Sequence, residues 1–141
     1  MPVNYLSPLR YPGAKRKMAH HIKELMQNYG WLGGTFVEPC CGGSSVSLYL
    51  LDQKIVSSAI LVDIDPWITS FWQMLFFHTE QLIEDINNID VTVETWERLR
   101  RTPPLTIRQE ALYCFFFNRT CYSGILHGGI IGGKTQSSKY Y

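Results

Sequence analysis

Apolar residues recur at i, i+4, i+7, i+8 and i+11 from Met18 through Ile22, Leu25, Met26 and Tyr29. That spacing predicts one helical face over residues 15–29, with Gly30 as its stop. Gly33-Gly34 break the chain. Thr35-Phe36-Val37-Glu38-Pro39 is short and β-prone, and reads as a strand. Cys40 to Ser45 reads as a turn, and the apolar stretch Val46 to Leu51 opens a second helix. Ala59-Ile60-Leu61-Val62-Asp63 is an apolar run ending in an acid, the pattern of a buried strand. Asp65 can cap the next helix, with Pro66 at its first position and Ile68, Phe71, Trp72, Leu75 and Phe76 on one face. Shorter amphipathic helices follow over residues 80–89 and 94–101. Thr106 and Gln109 have capping-box spacing, which predicts a helix to about Phe117. Beyond Asn118, five glycines between 124 and 133 forbid regular helix, so the tail reads as a loop or hairpin.

Composition narrows the class. The 141 residues are 45% hydrophobic and 18% charged, which fits one globular domain, or part of one, and excludes a disordered tail. No apolar run approaches the ~18 residues of a membrane span. Residues 1–10 lack an apolar signal core, so a cytoplasmic protein is expected. The four cysteines, at 40, 41, 114 and 121, form no Cys-x-x-Cys pair and no zinc-finger spacing, so reduced thiols and no metal site are expected. His20-His21 fit a helix surface, and His127 has no partner visible in the sequence. The net charge of +1 hides an asymmetry: residues 1–23 carry five Lys/Arg and no acid, residues 24–97 one Lys and eleven acids, and residues 98–141 seven Lys/Arg and one acid. Two basic ends flank an acidic middle. Solvated helix faces explain such runs, and so does contact with an anion such as a cofactor carboxylate or a nucleic-acid backbone.

Strand, glycine turn, helix and acid-ended strand make half of a nucleotide-binding α/β unit. Gly42 and Gly43 leave room for a ligand against the backbone, and the following helix aims N–H groups at the same spot. Asp63 lies 21 residues after Gly42, where a carboxylate can accept bonds from both ribose hydroxyls. The pattern Gly-Gly-Ser-Ser is not Gly-x-Gly-x-x-Gly, and alone it fits a plain strand-to-helix turn about as well. A dinucleotide favours the fuller fingerprint. S-adenosylmethionine, which has no phosphate, needs an acid for its ribose and a partner for its carboxylate. Lys15, at the start of the first helix, can be that partner, and Tyr11 can pack on a ligand; both also fit ordinary surface positions.

Pro8-Leu9-Arg10-Tyr11-Pro12-Gly13-Ala14-Lys15 resembles the N-terminal cofactor motif of Dam-like (class alpha) N6-adenine DNA methyltransferases. Phe36 to Val46 is similar to their glycine motif, with Cys40 and Cys41 where the family has Phe and a small apolar residue, and Ser44 where it has Gly. Val62-Asp63-Ile64-Asp65 is similar to the family's strand-end Asp-x-Asn, with Asp65 replacing Asn. Asn118-Arg119-Thr120-Cys121-Tyr122-Ser123-Gly124, followed by Ile131-Gly132-Gly133-Lys134, resembles the start of the target-recognition segment. The resemblance implies a Rossmann-like, S-adenosylmethionine-dependent α/β fold. Residues 1–117 would be a partial cofactor domain and residues 118–141 the start of a recognition segment for double-stranded DNA. Tyr11 and Lys15 would hold the methionine part of the cofactor, Glu38, Pro39, Cys40, Gly42 and Gly43 would line it, and Asp63 would bind its ribose. Arg119, Tyr122 and Ser123 would face DNA, with Tyr122 as a wedge beside a flipped adenine and Ser123 near a base. Lys134 and Lys139 would meet phosphates.

The family's catalytic Asp/Asn-Pro-Pro-Tyr/Phe is absent from these residues: Asp65-Pro66-Trp67 lacks the second proline, and Pro103-Pro104 lies between Thr102 and Leu105. No catalytic residue is therefore assigned. In the family's order the catalytic strand follows the recognition segment. The expectation is an incomplete fold, with weak or no cofactor binding and no methyl transfer by this chain alone; a split enzyme completed by a second polypeptide and an incomplete reading frame both fit it. Two other readings stand beside it. One is another Rossmann-like nucleoside-binding enzyme, such as an oxidoreductase, which leaves residues 118–134 unexplained. The other is a non-catalytic DNA- or cofactor-binding module.

Overall fold

A computed structural model describes residues 7–11 and 15–136. The chain forms two compact units, divided between Ile64 and Asp65. The first holds α1 (Arg16–Asn28), β1 (Thr35–Pro39), α2 (Ser45–Asp52) and β2 (Ser58–Val62). The second holds α3 (Pro66–Phe77), α4 (Thr79–Asn88), α5 (Val93–Arg101), α6 (Ile107–Thr120) and a 3₁₀ turn over Tyr122–Gly124. The architecture is mixed helix and strand with a small parallel sheet.

In the first unit, α1 ends where the glycine predicts. Gly30 takes φ +71°, its N–H donates to Gln27 O at 3.2 Å, and Trp31 N–H donates to Met26 O at 2.8 Å. Those two bonds satisfy the last carbonyls of the helix in a Schellman motif. The buried stripe of α1 differs from the expected one. Ala19 is buried, with Ile22 and Met26 packed beside it against Val46, Leu50, Ile55 and Val56, while Met18, Leu25 and Tyr29 are exposed. The apolar sector of α1 is wide, and only the Ala19–Ile22–Met26 line meets α2.

β1 and β2 pair in parallel, with Phe36 opposite Ala59, Val37 opposite Ile60 and Glu38 opposite Leu61. The chain between them is the α2 crossover that a parallel pair requires. Alternation turns Phe36, Glu38, Ala59 and Leu61 inward. Val37 and Ile60, on the other face, are 52% and 53% exposed. β2 is thus half-buried, not the fully buried strand its apolar run predicts. Its composition matches burial on both faces, but among the described residues only one face is covered.

In the second unit, Asp65 Oδ1 accepts the Trp67 N–H at 2.9 Å and Pro66 opens α3, as expected. Ile68, Phe71, Trp72 and Met74 are buried, whereas Phe76 is exposed and stacks on Trp72 at the helix surface. Thr92 caps α5 through the Thr95 N–H, and Thr106 caps α6 through the Gln109 N–H. α6 continues to Thr120, a turn past the expected end. Its last turn is buried. There Thr120 Oγ1 donates to Phe116 O at 2.8 Å, and the Asn118 side chain is fully enclosed. Packing thus carries the helix through residues that favour turns.

Phe117 is the hub of this unit. It is fully buried and meets the rings of Trp67, Trp96, Tyr113 and Phe116 at centroid distances of 5.5–6.0 Å. Replacing it with Ala removes the common partner of four rings and leaves a void. Phe117→Ala is therefore expected to lower stability by about 3–5 kcal/mol. A urea titration monitored by far-UV circular dichroism checks this; a loss under about 1 kcal/mol contradicts the packing described.

Candidate functional site

The candidate cofactor residues converge on the turn that leaves β1. Parallel pairing brings the ends of β1 and β2 side by side, and Cys41 N–H donates to Val62 O at 2.8 Å to continue the ladder past Pro39. The backbone then turns sharply: Cys40, Gly42 and Ser44 take φ values of +57°, +48° and +50°. Two of these three are not glycine, and left-handed backbone is costly for such residues, so the surroundings must hold the turn.

Three side chains do so. Asp63, one residue past β2, accepts the Gly42 N–H on Oδ2 at 2.8 Å. Lys15, the residue before α1, donates from Nζ to Cys40 O at 3.0 Å. Glu38 is only 4% exposed, and its Oε2 accepts the Ser47 N–H at 3.0 Å together with the hydroxyls of Ser44 and Ser47. It is the anion at the N-terminus of α2, supplied by a neighbouring strand. Lys15 and Asp63 therefore meet the same turn two residues apart.

Tyr11 lies across Gly42. A Cβ there would fall 2.7 Å from the Tyr11 ring atoms Cδ1 and Cε1, and one at Gly43 would approach Ser7 Oγ to 3.2 Å and Leu9 O to 3.4 Å. The space the glycines clear is used by the 7–11 segment of the chain itself. Pro39 and Cys40 are exposed beside it, whereas Cys41 is buried. Burial, and then the charges of Asp63 and Glu38, push the Cys41 thiol up to about 12. That shift favours the protonated thiol at neutral pH, the opposite of an activated cysteine. Among the described residues, no three His, Cys, Asp or Glu side chains are grouped to hold a metal ion.

The candidate DNA residues lie at and after the end of α6. Tyr122 is 71% exposed, and Ser123 beside it takes φ +54°. The base of the turn is closed by an antiparallel bridge between Cys121 and Ile130, by Tyr122 N–H donating to Gly129 O at 3.0 Å, and by Ile131 N–H donating to Thr120 O at 2.9 Å. The tail is thus a short hairpin-like turn, one of the two forms expected. Arg119 is half-buried, its guanidinium 5.3 Å from the Phe115 ring centre. Lys134 Nζ lies 2.9 Å from Glu97 Oε1, and this contact holds the Glu97 carboxyl below the usual carboxylate range. Lys139 lies outside the described residues.

Several residues here escape the sequence reading. Asn118 Nδ2 donates to Gly124 O at 3.1 Å, pinning the turn from inside α6. His127 has a partner after all, the Trp67 ring at 5.2 Å. Arg100 donates from Nη2 to Leu126 O and Gly128 O. The one sequence signal for Arg100 is its i+4 spacing from Trp96; for His127 there is none, because Trp67 is remote in sequence, and Asn118 reaches Gly124 only through the turn that follows α6.

The Gly42 contact yields a paired test. Gly30 and Gly42 both have positive φ, but a Cβ at Gly30 meets nothing within 4 Å. Gly30→Ala is expected to cost ~1–2 kcal/mol for backbone conformation alone. Gly42→Ala is expected to cost more, because the Tyr11 ring must also move. Thermal denaturation of the two variants checks this, and equal losses contradict the contact.

No curated protein sequence matches this chain, and no solved structure does. A family match does exist, to D12 class N6 adenine-specific DNA methyltransferases over residues 11–136. That interval contains both the turn held by Lys15 and Asp63 and the turn bearing Tyr122. The chain belongs to the D12 class N6 adenine-specific DNA methyltransferase family.

Proposed function

We propose that this chain supplies the S-adenosylmethionine-binding half of a Rossmann-like adenine-N6 DNA methyltransferase, over residues 1–117, and the start of its target-recognition segment, over residues 118–141. The observation that carries the reading is the joint anchoring of Lys15 and Asp63 on the Cys40–Gly42 turn. A cation and an anion are brought together beside backbone that tolerates no side chain at Gly42. This suits a ligand with a carboxylate at one end and a ribose at the other, and with no phosphate.

In this reading Lys15 pairs with the cofactor carboxylate and Asp63 accepts from the ribose hydroxyls. Tyr11, Pro39 and Cys40 line the ligand, and Gly42 and Gly43 act by admitting Tyr11 and the 7–11 segment against the turn. Glu38 acts by shaping the turn, since its carboxylate is engaged with Ser44 and Ser47. When bound, S-adenosylmethionine supplies an electrophilic methyl group on a sulfonium sulfur. The acceptor N6 is buried in a duplex, so the adenine must leave the stack, and the exposed Tyr122 is suited to fill the gap. Ser123 contacts a base, while Arg119 and Lys134 meet phosphates. Lys134 must exchange its bond to Glu97 for one to phosphate. We place the protein in the cytoplasm, where its four free thiols remain reduced. Among the described residues no helix is long and apolar enough to cross a membrane.

A second reading is favoured by one sequence fact. No Asp-Pro-Pro-Tyr occurs in these 141 residues, and that motif would hold the amino group of the target adenine. Residues 1–141 then bind ligand and DNA without transferring a methyl group, and the motif that holds the target amino group lies outside them.

Titration calorimetry tests the cofactor assignment. S-adenosylmethionine is expected to bind and NAD is not. Asp63→Ala is expected to weaken binding about ten-fold or more, the loss of one charge-assisted pair of hydrogen bonds. Equal affinity of Asp63→Ala and the unaltered chain refutes the assignment. For DNA, Lys134→Gln is expected to reduce the slope of log K against log salt by about 0.9, one phosphate contact. An unchanged slope in a filter-binding series removes Lys134 from the interface.

A further inference from the structure

The turn that bears Tyr122 carries five glycines in its vicinity, between 124 and 133, yet it is held in one shape. Asn118 of α6 holds it through Gly124 O, and a second element, α5, which the family motifs do not include, adds contacts of its own. Arg100 reaches from the last turn of α5 into the loop. Its Nη2 lies 2.6 Å from Leu126 O, 2.8 Å from Gly128 O and 3.1 Å from Cys121 Sγ. Two carbonyls and a sulfur, drawn from both strands of the turn, thus share one cationic nitrogen. Charge-assisted bonds of this kind are stronger than neutral ones.

The guanidinium is fixed in its turn by aromatic rings. Its centre lies 3.9 Å from the Phe117 ring centroid and 4.8 Å from that of Trp96. Trp96 Nε1 also donates to Cys121 Sγ at 3.4 Å. One helix turn earlier on α5, Glu97 holds Lys134 beyond the far end of the loop. Helix α5 therefore grips the segment at 121–128, and in the free chain again at 134. Tyr122 and Ser123 are left exposed between the held positions.

We infer that Arg100 is the positioning residue of this turn, fixing the backbone that presents Tyr122 and Ser123 to a duplex. The inference rests on the DNA reading proposed above. Arg100 acts through Leu126, Gly128 and Cys121 and touches no base. A lysine cannot replace it, because an ammonium group lacks the plane that lies on Phe117 and Trp96 and that aims Nη2 at the two carbonyls.

The test compares Arg100→Lys with Arg101→Lys, whose side chain pairs with Glu97 instead of the turn. In the full chain, the amides of Tyr122, Gly128 and Ile131 are expected to exchange hydrogen roughly ten-fold or more faster in Arg100→Lys, with α3 and α6 amides unchanged. Arg101→Lys is expected to exchange like the unaltered chain. Affinity for an adenine-containing duplex falls in Arg100→Lys and not in Arg101→Lys; both substitutions keep the charge, so a loss confined to the first follows the shape of the turn and not a phosphate contact. Unchanged exchange at the three amides overturns the inference. So does faster exchange with undiminished duplex affinity. If the unaltered chain does not bind the duplex, the DNA reading fails, and the exchange result alone decides whether Arg100 sets the turn. Should Arg100→Lys unfold, nuclear magnetic resonance of the unaltered chain decides: the guanidinium protons of Arg100 must show upfield ring-current shifts from Phe117 and proximity to Gly128, and their absence overturns the inference.

Discussion

Two parallel strands necessarily end on the same side. That constraint places the turn after Pro39 beside the carboxylate after Val62, and the candidate cofactor site follows from it. The bond from Gly42 N–H to Asp63 Oδ2 closes the gap between the two strand ends. The bond from Lys15 Nζ to Cys40 O adds a cation from α1. Neither charged group is near the other in sequence, and an antiparallel pair in the same register would separate them by the length of a strand.

The turn also shows how a site stores conformational cost. Cys40 and Ser44 sit in left-handed backbone without being glycine. Their neighbours offset that cost. Glu38 takes the hydroxyls of Ser44 and Ser47 and the N–H of Ser47, and the Cys41 N–H extends the sheet. Glu38 is thus buried for a structural reason, while Lys15 and Asp63 stay at the edge. The Cys41 thiol, surrounded by two carboxylates and desolvated, is kept protonated. In the second unit a comparable division holds: Phe117 and Arg100 fix the base of a glycine-rich turn, and the exposed tip carries Tyr122.

Local patterns fixed much of the element order. The Gly30 stop, the Asp65-Pro66 start and the Thr106 cap are interactions within a few residues, so their residue types suffice to predict them. Buried faces depend on more than local pattern. The apolar positions of α1 span a wide sector, and only contact with α2 selected Ala19, Ile22 and Met26. The apolar run of β2 fits burial on two faces, and the described structure covers one. α6 outran its expected end because Asn118 and Thr120, ordinarily turn formers, found partners in Gly124 O and Phe116 O.

At the candidate sites the same distinction applies. The sequence alone determined the residue types of the candidate site, an acid one strand beyond a glycine turn and a lysine at a helix start, because their order along the chain carries the pattern. Only the tertiary structure decided that Lys15 and Asp63 meet one turn, that Tyr11 occupies the space beside Gly42, and that Arg100, Glu97 and Trp67 hold the segment after α6. Those contacts join residues about 20 to 60 positions apart, and no local periodicity encodes a partner at that distance; pairing of strands and packing of helices must first bring the two together.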